Sequence, residues 1–397
     1  MHSNPLVSVC IPMYNTAQYI EKTLDCVTRQ TYENLEIIIC DNASTDRSFE
    51  LAASFAAKDK RIRLYKNQRN LGYAGNFHKV TSLAMGDFML LQCADDYPAL
   101  HMIERFVSMT HNTQIDPQHT VYLADAYIVD QQDQIQKVSS VHAQYFYNNV
   151  YDKKDYIATG QIRQSSGFLA LRDAVPLLKS IGFFGAVFYS KALFNRVEGV
   201  YSTKIFGPDA DFMYTLLMTN PQVMWLNEPL TYWRFHDANH IAQENKDMSL
   251  KPIHDAYSYV FGYPDDFFKL CGTTRTQVAA RFVDYFCLRK SISLLKENKT
   301  LSAFRVLCYA LATYPHLTIK NPKFYAVIAG CLGGRFAASF MKSIYQSTSI
   351  FKDKTFSAIP RTEDPLVLNP DLEKPQPLAP QSAVIVPLSR PNKRKFA

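Results

Sequence analysis

The sequence predicts an α/β fold: a mostly parallel central sheet flanked by helices, then a helical extension and a flexible tail. Three observations predict it. Short apolar runs alternate with amphipathic segments of about a dozen residues through the first half, the mark of strand–helix–strand crossovers. The loops after the first, second and fourth runs carry polar and acidic residues, on what must be one edge of such a sheet. Texture then changes twice, to aromatic-rich helical periodicity over 276–346 and to proline-rich sequence from 351.

Residues 7–11 read as a strand ended by Pro12. Over 17–30, Ile20, Leu24 and Val27 recur at helical spacing and give one packing face. Residues 35–40 form the second strand and 46–57 the returning helix; 61–65 form the third strand. A helix over 74–85 follows, with Gly86 as its C′ residue, and 88–93 is the fourth strand. Beyond Met102 the pattern loosens: 121–129 and 186–189 read as strands, and 145–156 as a loop over the site. A helix over 209–218 follows Pro208, and 223–226 and 231–235 read as two short strands. The expected organisation is a sheet domain over 1–240, a helical extension over 241–350 and a tail over 351–397. Eight of the 20 prolines fall in that tail, and Arg390, Lys393, Arg394 and Lys395 crowd its end.

Composition narrows the function. Of 397 residues, 47% are apolar, ample for a large core, and 43 Lys and Arg against 36 Asp and Glu leave a net charge of +7. That suits an anionic small substrate and falls far short of a nucleic-acid binder's excess. Eight cysteines occur with no paired spacing, so neither a disulfide framework nor a structural zinc site is expected. Cys10, Cys40 and Cys93 read as small hydrophobes on core strands. The opening Met-His-Ser-Asn-Pro shows no secretory pattern. No apolar stretch reaches the roughly 20 residues of a membrane span, and the nearest, 324–334, stops at Arg335. A cytoplasmic, reducing setting is the expectation. The region 304–345, with Arg305, Lys320, Lys323, Arg335 and Lys342 among aromatics, reads either as a helical cap or as a peripheral contact with the inner face of the cell membrane.

Asp95 and Asp96 stand just past the fourth strand, where open α/β sheets hold ligands. Adjacent carboxylates repel unless a cation or shared proton offsets them, and Mg²⁺ or Mn²⁺ prefers oxygen ligands shared with phosphates. The plainer alternative is a turn that favours Asp. Likewise Asp41-Asn-Ala-Ser-Thr-Asp46 serves either as a helix N-cap region or, through Asp41, as an acceptor for a base or ribose.

Four blocks then fall in order: Val-Ser-Val-Cys-Ile-Pro-Met-Tyr-Asn (7–15), Gln-Thr-Tyr-Glu-Asn-Leu-Glu-Ile-Ile-Ile-Cys-Asp-Asn-Ala-Ser-Thr-Asp (30–46), Asn-Leu-Gly-Tyr-Ala-Gly-Asn (70–76) and Gly-Asp-Phe-Met-Leu-Leu-Gln-Cys-Ala-Asp-Asp (86–96). Together they closely resemble family 2 glycosyltransferases, inverting nucleotide-sugar-dependent enzymes of the GT-A fold. Pro-Asp-Ala-Asp-Phe-Met-Tyr (208–214) resembles the family's catalytic-base helix, and Asn-Glu-Pro-Leu-Thr-Tyr-Trp-Arg-Phe-His (227–236) its closing strand. The resemblance implies that Pro12, Tyr14, Asn15 and Asp41 hold base and ribose. It implies that Asn70, Gly72 and Asn76 border the nucleotide, with Gly72 and Gly75 admitting close backbone approach. It implies that Asp95 and Asp96 hold Mn²⁺ or Mg²⁺ on the diphosphate, that His236 completes the metal site or touches a phosphate, and that Asp209 is the general base. The implied partners are a nucleotide-sugar donor and a saccharide or lipid-linked acceptor, with bacterial surface glycan assembly as the usual setting.

Two departures stand out. The family's Asp-x-Asp begins with an acid, here Cys93, and the base is often preceded by Glu, here Pro208. Asp211 is therefore a rival base, and residues two apart do not share a helix face. Arg234 either faces the diphosphate or pairs with Asp237 or Glu228, and Trp233 is a better stacking candidate than Trp225. The rival functions are a catalytically inactive nucleotide-sugar-binding protein and a sugar nucleotidyltransferase; the latter's Gly-rich phosphate loop is missing after the first strand.

Overall fold

The computed structural model describes residues 4–333 apart from 113, 142–147, 180, 198–207, 237–249, 251–252, 255–256 and 258–261. The expected tail over 351–397 lies outside the described residues. The first half runs β1 (Val7–Met13), α1 (Ile20–Thr28), β2 (Leu35–Asp41), α2 (Ser48–Ala56), β3 (Ile62–Lys66), α3 (Gly72–Ser82) and β4 (Phe88–Leu91). Then come β5 (Tyr97–Pro98), α4 (Met102–Thr110), β6 (Thr120–Val129), β7 (Ile135–Val141), β8 (Asn148–Asp152), β9 (Ile162–Ser166) and α5 (Gly167–Ala174). The sheet part closes with β10 (Val187–Ser190), α6 (Lys191–Arg196), α7 (Pro208–Met218) and β11 (Gln222–Arg234).

Strand order is β3-β2-β1-β4-β10-β6-β11-β5, with β7 and β8 continuing from β6 and β9 pairing β11. β1, β2, β3 and β4 are mutually parallel, as is the β6–β11 pair, while β10 runs antiparallel between β4 and β6. Alternation assigns the two faces. Val7, Val9, Ile11, Ile37 and Ile39 face one core with Ile20 and Leu24 of α1 and Phe106 of α4. Cys10, Ile38 and Cys40 face the other with Phe77 and Val80 of α3 and Phe212 of α7. Strands buried on both faces read as continuous apolar runs, which is why 35–40 shows no polar alternation. In the first core Phe188 stacks between Phe88 and Phe106, at 5.0 and 5.3 Å between centroids; such a residue costs about 3–5 kcal/mol to truncate to Ala.

The helices α8 (Asp265–Leu270), α9 (Arg275–Phe282), α10 (Lys290–Lys296), α11 (Thr300–Thr313) and α12 (Pro315–Lys320) follow, with a π-helical turn at Val283–Arg289. They share the second core: Phe267, Phe282, Leu288 and Leu307 pack in the same cluster as Cys10 and Phe212.

Several expectations are corrected. β1 continues through Pro12 to Met13, with Pro12 opposite Cys40. β4 pairs β1 only as far as Cys10, so the missing proline N–H falls where no ladder bond is required on that side. α3 ends with Leu83 as C-cap, so Gly86 is not its C′ residue. A Cβ at Gly86 would stand 2.7 Å from the Leu6 carbonyl oxygen, and close approach to β1 explains the glycine. The stretch read as a loop over 145–156 contains β8. The two short strands predicted after 222 are one, β11, whose register shifts at Leu226–Pro229 and Pro229–Thr231 mark an irregularity that reads locally as a turn.

Candidate active site

The C-terminal ends of β1, β2 and β4 form one edge, and three loops are fixed there. The first carries Tyr14, 45% exposed, and Asn15, whose φ of 50° is left-handed. Asn tolerates that region better than most residues. The loop is fastened to the β2–α2 loop: the Thr45 amide donates to Asn15 Oδ1 at 2.8 Å, and the Asn15 amide to Ser44 Oγ at 2.9 Å. Asp46 accepts from the Ser48 amide at the start of α2 and from the Ala17 amide, both at 3.0 Å. The N-cap residue of α2 is Arg47, outside the expected trio of Ser44, Thr45 and Asp46, and Asp46 satisfies the first helical amide from one position earlier.

Asp41 ends β2 and is fully buried, and the Ser44 amide lies 3.3 Å from both its carboxylate oxygens. Beside it an asparagine network holds the β3–α3 loop as well. Asn42 donates to Asn70 Oδ1 at 2.9 Å and accepts from the Leu71 amide at 2.8 Å. Asn67 bridges Asn42 Oδ1 at 3.1 Å and Asn76 Oδ1 at 2.9 Å, and Asn76 donates to the Cys40 carbonyl at 2.9 Å. Gly72 opens α3 with φ 74° and its amide meets Asn70 Oδ1 at 2.7 Å. Asn70, Gly72 and Asn76 are thus held at the end of β2, through Asn42 and the Cys40 carbonyl on either side of Asp41. Asn42 and Asn67 escaped the sequence reading; their signal was the density of Asn around the end of an apolar run.

The second cluster follows β4. The chain reverses over 92–96 and re-enters the sheet as β5, antiparallel to β11 with Tyr97 opposite Tyr232. That register sets Asp95 and Asp96 beside Arg234 and His236. The Arg234 amide donates to Asp96 Oδ1 at 2.8 Å, and its guanidinium donates to the Asp95 carbonyl and to Asp133 Oδ1, each at 2.6 Å. The same guanidinium lies over the rings of Tyr19 and Tyr97 at 4.7 and 5.2 Å. Arg234 is a buried brace for this loop, and Glu228 pairs instead with Arg105 and His101. Thr23 of α1 donates to the Asp96 and Ala94 carbonyls at 2.7 and 3.0 Å. His236 Nε2 lies 3.1 Å from Asp95 Oδ2, with the imidazole 4.4 Å from the Tyr19 ring.

Burial, and then the neighbouring Asp95, push the Asp96 carboxyl well above the usual carboxylate range. Two adjacent carboxylates, one of them buried, fit a divalent cation. Ligand atoms of Cys93, Asp95 and Asp96 all lie within 4.8 Å of one another, with His236 outside that group. Cys93 itself lies beyond the end of β4 and is half-buried, not a core-strand residue.

Asp209 lies in the first turn of α7, which opens with Pro208. Asp211 is buried and accepts a hydrogen bond from the Tyr263 hydroxyl. Trp225 is buried and donates to Asp125 Oδ1 at 2.9 Å; the Trp233 ring packs 5.4 Å from Phe183.

Comparison with known proteins agrees with this geometry. The family described as Glycosyl transferase family 2 matches residues 8–166. Glycosyltransferase GlyG of Streptococcus pneumoniae is 31% identical over 128 residues, 32% of this chain and 41% of that protein. The uncharacterized glycosyltransferase EpsJ of Bacillus subtilis is 35% identical over 112 residues, 28% of this chain and 32% of that one. The matched stretch thus spans less than half the length of either relative. The crystal structure of S. aureus TarS 1-349 in complex with UDP-GlcNAc superposes with a TM-score of 0.51 at 14% identity, covering 86% of this chain and 91% of that chain. Family match, relatives and fold agree: residues 8–166 match the family 2 glycosyltransferase model, and the chain's fold is similar to that of the GT-A enzymes.

Proposed function

We propose that the protein transfers one sugar from a nucleoside-diphosphate donor to a hydroxyl of a saccharide or lipid-linked acceptor, with inversion. The observation that carries this reading is the placing of Asp41 at the end of β2 and of the Asp95–Asp96 pair beyond β4, two parallel-running strands of one sheet, within the stretch that matches family 2. Asp41 and the Pro12–Asn15 segment would receive base and ribose, and the asparagine-locked loop at Asn70, Gly72 and Asn76 would border the nucleotide. Asp95 and Asp96, with His236 at the rim, would hold Mn²⁺ or Mg²⁺, which when bound stabilises negative charge on the departing diphosphate.

Asp209 would take the proton from the acceptor hydroxyl as its oxygen attacks the anomeric carbon. The bond from that carbon to the diphosphate breaks on the opposite face, so the centre inverts and no protein nucleophile is required. Asp209 is favoured over Asp211 because the Asp211 carboxylate is occupied by Tyr263 in the interior.

Release of nucleoside diphosphate from a panel of nucleotide sugars, with and without Mn²⁺, tests the reading on wild type, Asp96→Ala and Asp209→Ala. Metal-dependent release from one donor, lost in both variants, supports it. Metal-dependent binding of a donor with no release under any acceptor would support the inactive binding protein instead, and no donor binding at all would sink both.

The domain assignment extends to residues 1–240 as the catalytic part and 241–350 as a helical extension. Exposed Leu301, Phe304, Ile319, Tyr325 and Leu332 on those helices, with Arg305 and Lys320 among them, support peripheral contact with the inner face of a membrane. Among the described residues no helix is long and apolar enough to cross one. Flotation with anionic vesicles that is lost in Leu301→Asp/Phe304→Asp is the expected result; flotation unchanged in that variant removes the contact.

A further inference from the structure

Cys93 is where this chain departs from the acid expected at the head of its Asp-x-Asp motif, and the structure gathers its sulfur with the two carboxylates. The ligand atoms of Cys93, Asp95 and Asp96 lie within 4.8 Å of one another, and the thiol is hydrogen-bonded to Asp96. The loop that carries them is fixed from outside. Gln92 is tied by its amide to the Cys10 carbonyl at 2.9 Å, Thr23 holds the carbonyls of Ala94 and Asp96, and the Arg234 amide holds Asp96 Oδ1. Cys10 and Cys40 are fully buried on strands and fill space, whereas Cys93 is half-buried at the mouth of the acidic loop. An imidazole stands next to the set, with His236 Nε2 3.1 Å from Asp95 Oδ2.

Donor chemistry decides which ion such a set prefers. Mg²⁺ takes oxygen ligands in near-octahedral geometry and gains little from sulfur. Borderline ions such as Co²⁺ and Zn²⁺ bind thiolate, imidazole and carboxylate together. Replacing an acid by a thiol at this position therefore trades affinity for hard ions against affinity for borderline ones.

We propose that Cys93 is a specificity-determining metal ligand, and that this chain's site takes a borderline divalent ion through one thiolate and two carboxylates in preference to Mg²⁺. As the sulfur–metal bond forms, the thiol proton leaves to solvent and nothing is oxidised. The inference rests on the assignment of Asp95 and Asp96 as the metal-binding end of the donor site.

The test titrates the full chain with Co²⁺ alone, with neither donor nor acceptor present, on wild type, Cys93→Ser and Cys93→Asp. The near-ultraviolet thiolate-to-cobalt charge-transfer band reports sulfur ligation directly, and circular dichroism checks that each variant is folded. The expected result is a band in wild type that Cys93→Ser loses, with Co²⁺ affinity falling about tenfold or more. Competition with Mg²⁺ should be weakest in wild type and strongest in Cys93→Asp. A band that persists in Cys93→Ser, equal Co²⁺ affinity in both proteins, or no Co²⁺ binding to wild type overturns the inference. Donor turnover, measured separately, keeps the two readings apart. A Cys93-dependent band without release from any donor leaves the ligand in place and removes the transferase, while metal-dependent release without the band does the reverse.

Discussion

The two edges of the parallel strands each bury a carboxylate, Glu36 on β2 at one and Asp96 beyond β4 at the other, and they treat it in opposite ways. At the N-terminal edge Glu36 accepts from Ser8 Oγ at 2.6 Å, from the Gly86 amide at 3.0 Å and from Arg63 at 2.7 Å, with the Met85 amide also on it. Burial alone would raise its pKa, but the bonds from Ser8, Met85 and Arg63 win and hold it below the usual carboxylate range. At the C-terminal edge Asp96 is equally hidden, gains the Arg234 amide and the Cys93 thiol, and has Asp95 against it, so its pKa moves up. One edge uses its carboxylate to tie β1, β2, β3 and the start of β4 together. The other leaves negative charge undercompensated, which lowers stability but leaves room for a cation. Stability and function sit at opposite edges of the same sheet.

The sharpest way to break this comparison is on activity. Asp209→Ala and Asp96→Asn should each lower transfer about 10²–10⁴-fold without lowering the melting temperature. A fall in melting temperature in Asp96→Asn, which keeps an acceptor for the Arg234 amide, would erase the distinction between the edges. Next, Glu36→Gln should destabilise by about 2–3 kcal/mol, since it leaves Arg63 and two amides against a neutral group, and chemical denaturation should register this while the rate at saturating donor stays unchanged. A smaller effect of opposite sign is expected from Asp96→Asn, which should stabilise the metal-free protein by about 1 kcal/mol, a rise of roughly 2 °C.

The pH dependence of those two differences is subtler still. The lowered Glu36 pKa contributes stability above its unfolded value that is lost as pH falls through the folded one. The raised Asp96 pKa does the reverse: its contribution is fully present below the unfolded pKa and is lost as pH rises through the folded one. Melting curves of wild type and Asp96→Asn should therefore converge in acid and separate toward neutral pH. Those of wild type and Glu36→Gln should stay apart until below the ordinary carboxylate range. Parallel curves for both variants would mean that neither carboxylate is shifted.

Much of the first half is legible in sequence because its interactions are local. β1, β2, β3 and β4 are short apolar runs between helices, and Asp41, Asp95 and Asp96 announce themselves by standing at the ends of such runs. Helix ends were less legible: α3 begins at Gly72 and not at 74, because Asn70 and Asn42 supply its first turn with partners from outside the helix. The brace on the acidic loop was illegible for a different reason. Arg234 meets Asp133 and Asp95 across more than a hundred residues of chain, and nothing near Arg234 distinguishes those partners from Glu228. β5 is two residues long and exists only because β11 pairs with it. Asn227-Glu228-Pro229 reads as a break, so the continuity of β11 through it is visible only once β6 lies alongside.

That continuity has a further consequence. β11 has 13 residues where its parallel neighbour β6 has 10, and the odd surplus is taken up between Leu226 and Thr231. Because side chains alternate, an odd surplus reverses which residues face which way on the far side of the irregularity. The irregularity acts as a parity switch: upstream it puts Trp225 on Asp125, downstream it puts Arg234 and His236 on the acidic loop. Deleting one residue there would leave hydrophobicity, charge and strand length almost untouched. It would nonetheless turn Trp233 and Phe235 toward the carboxylates and send the arginine and histidine to the opposite face.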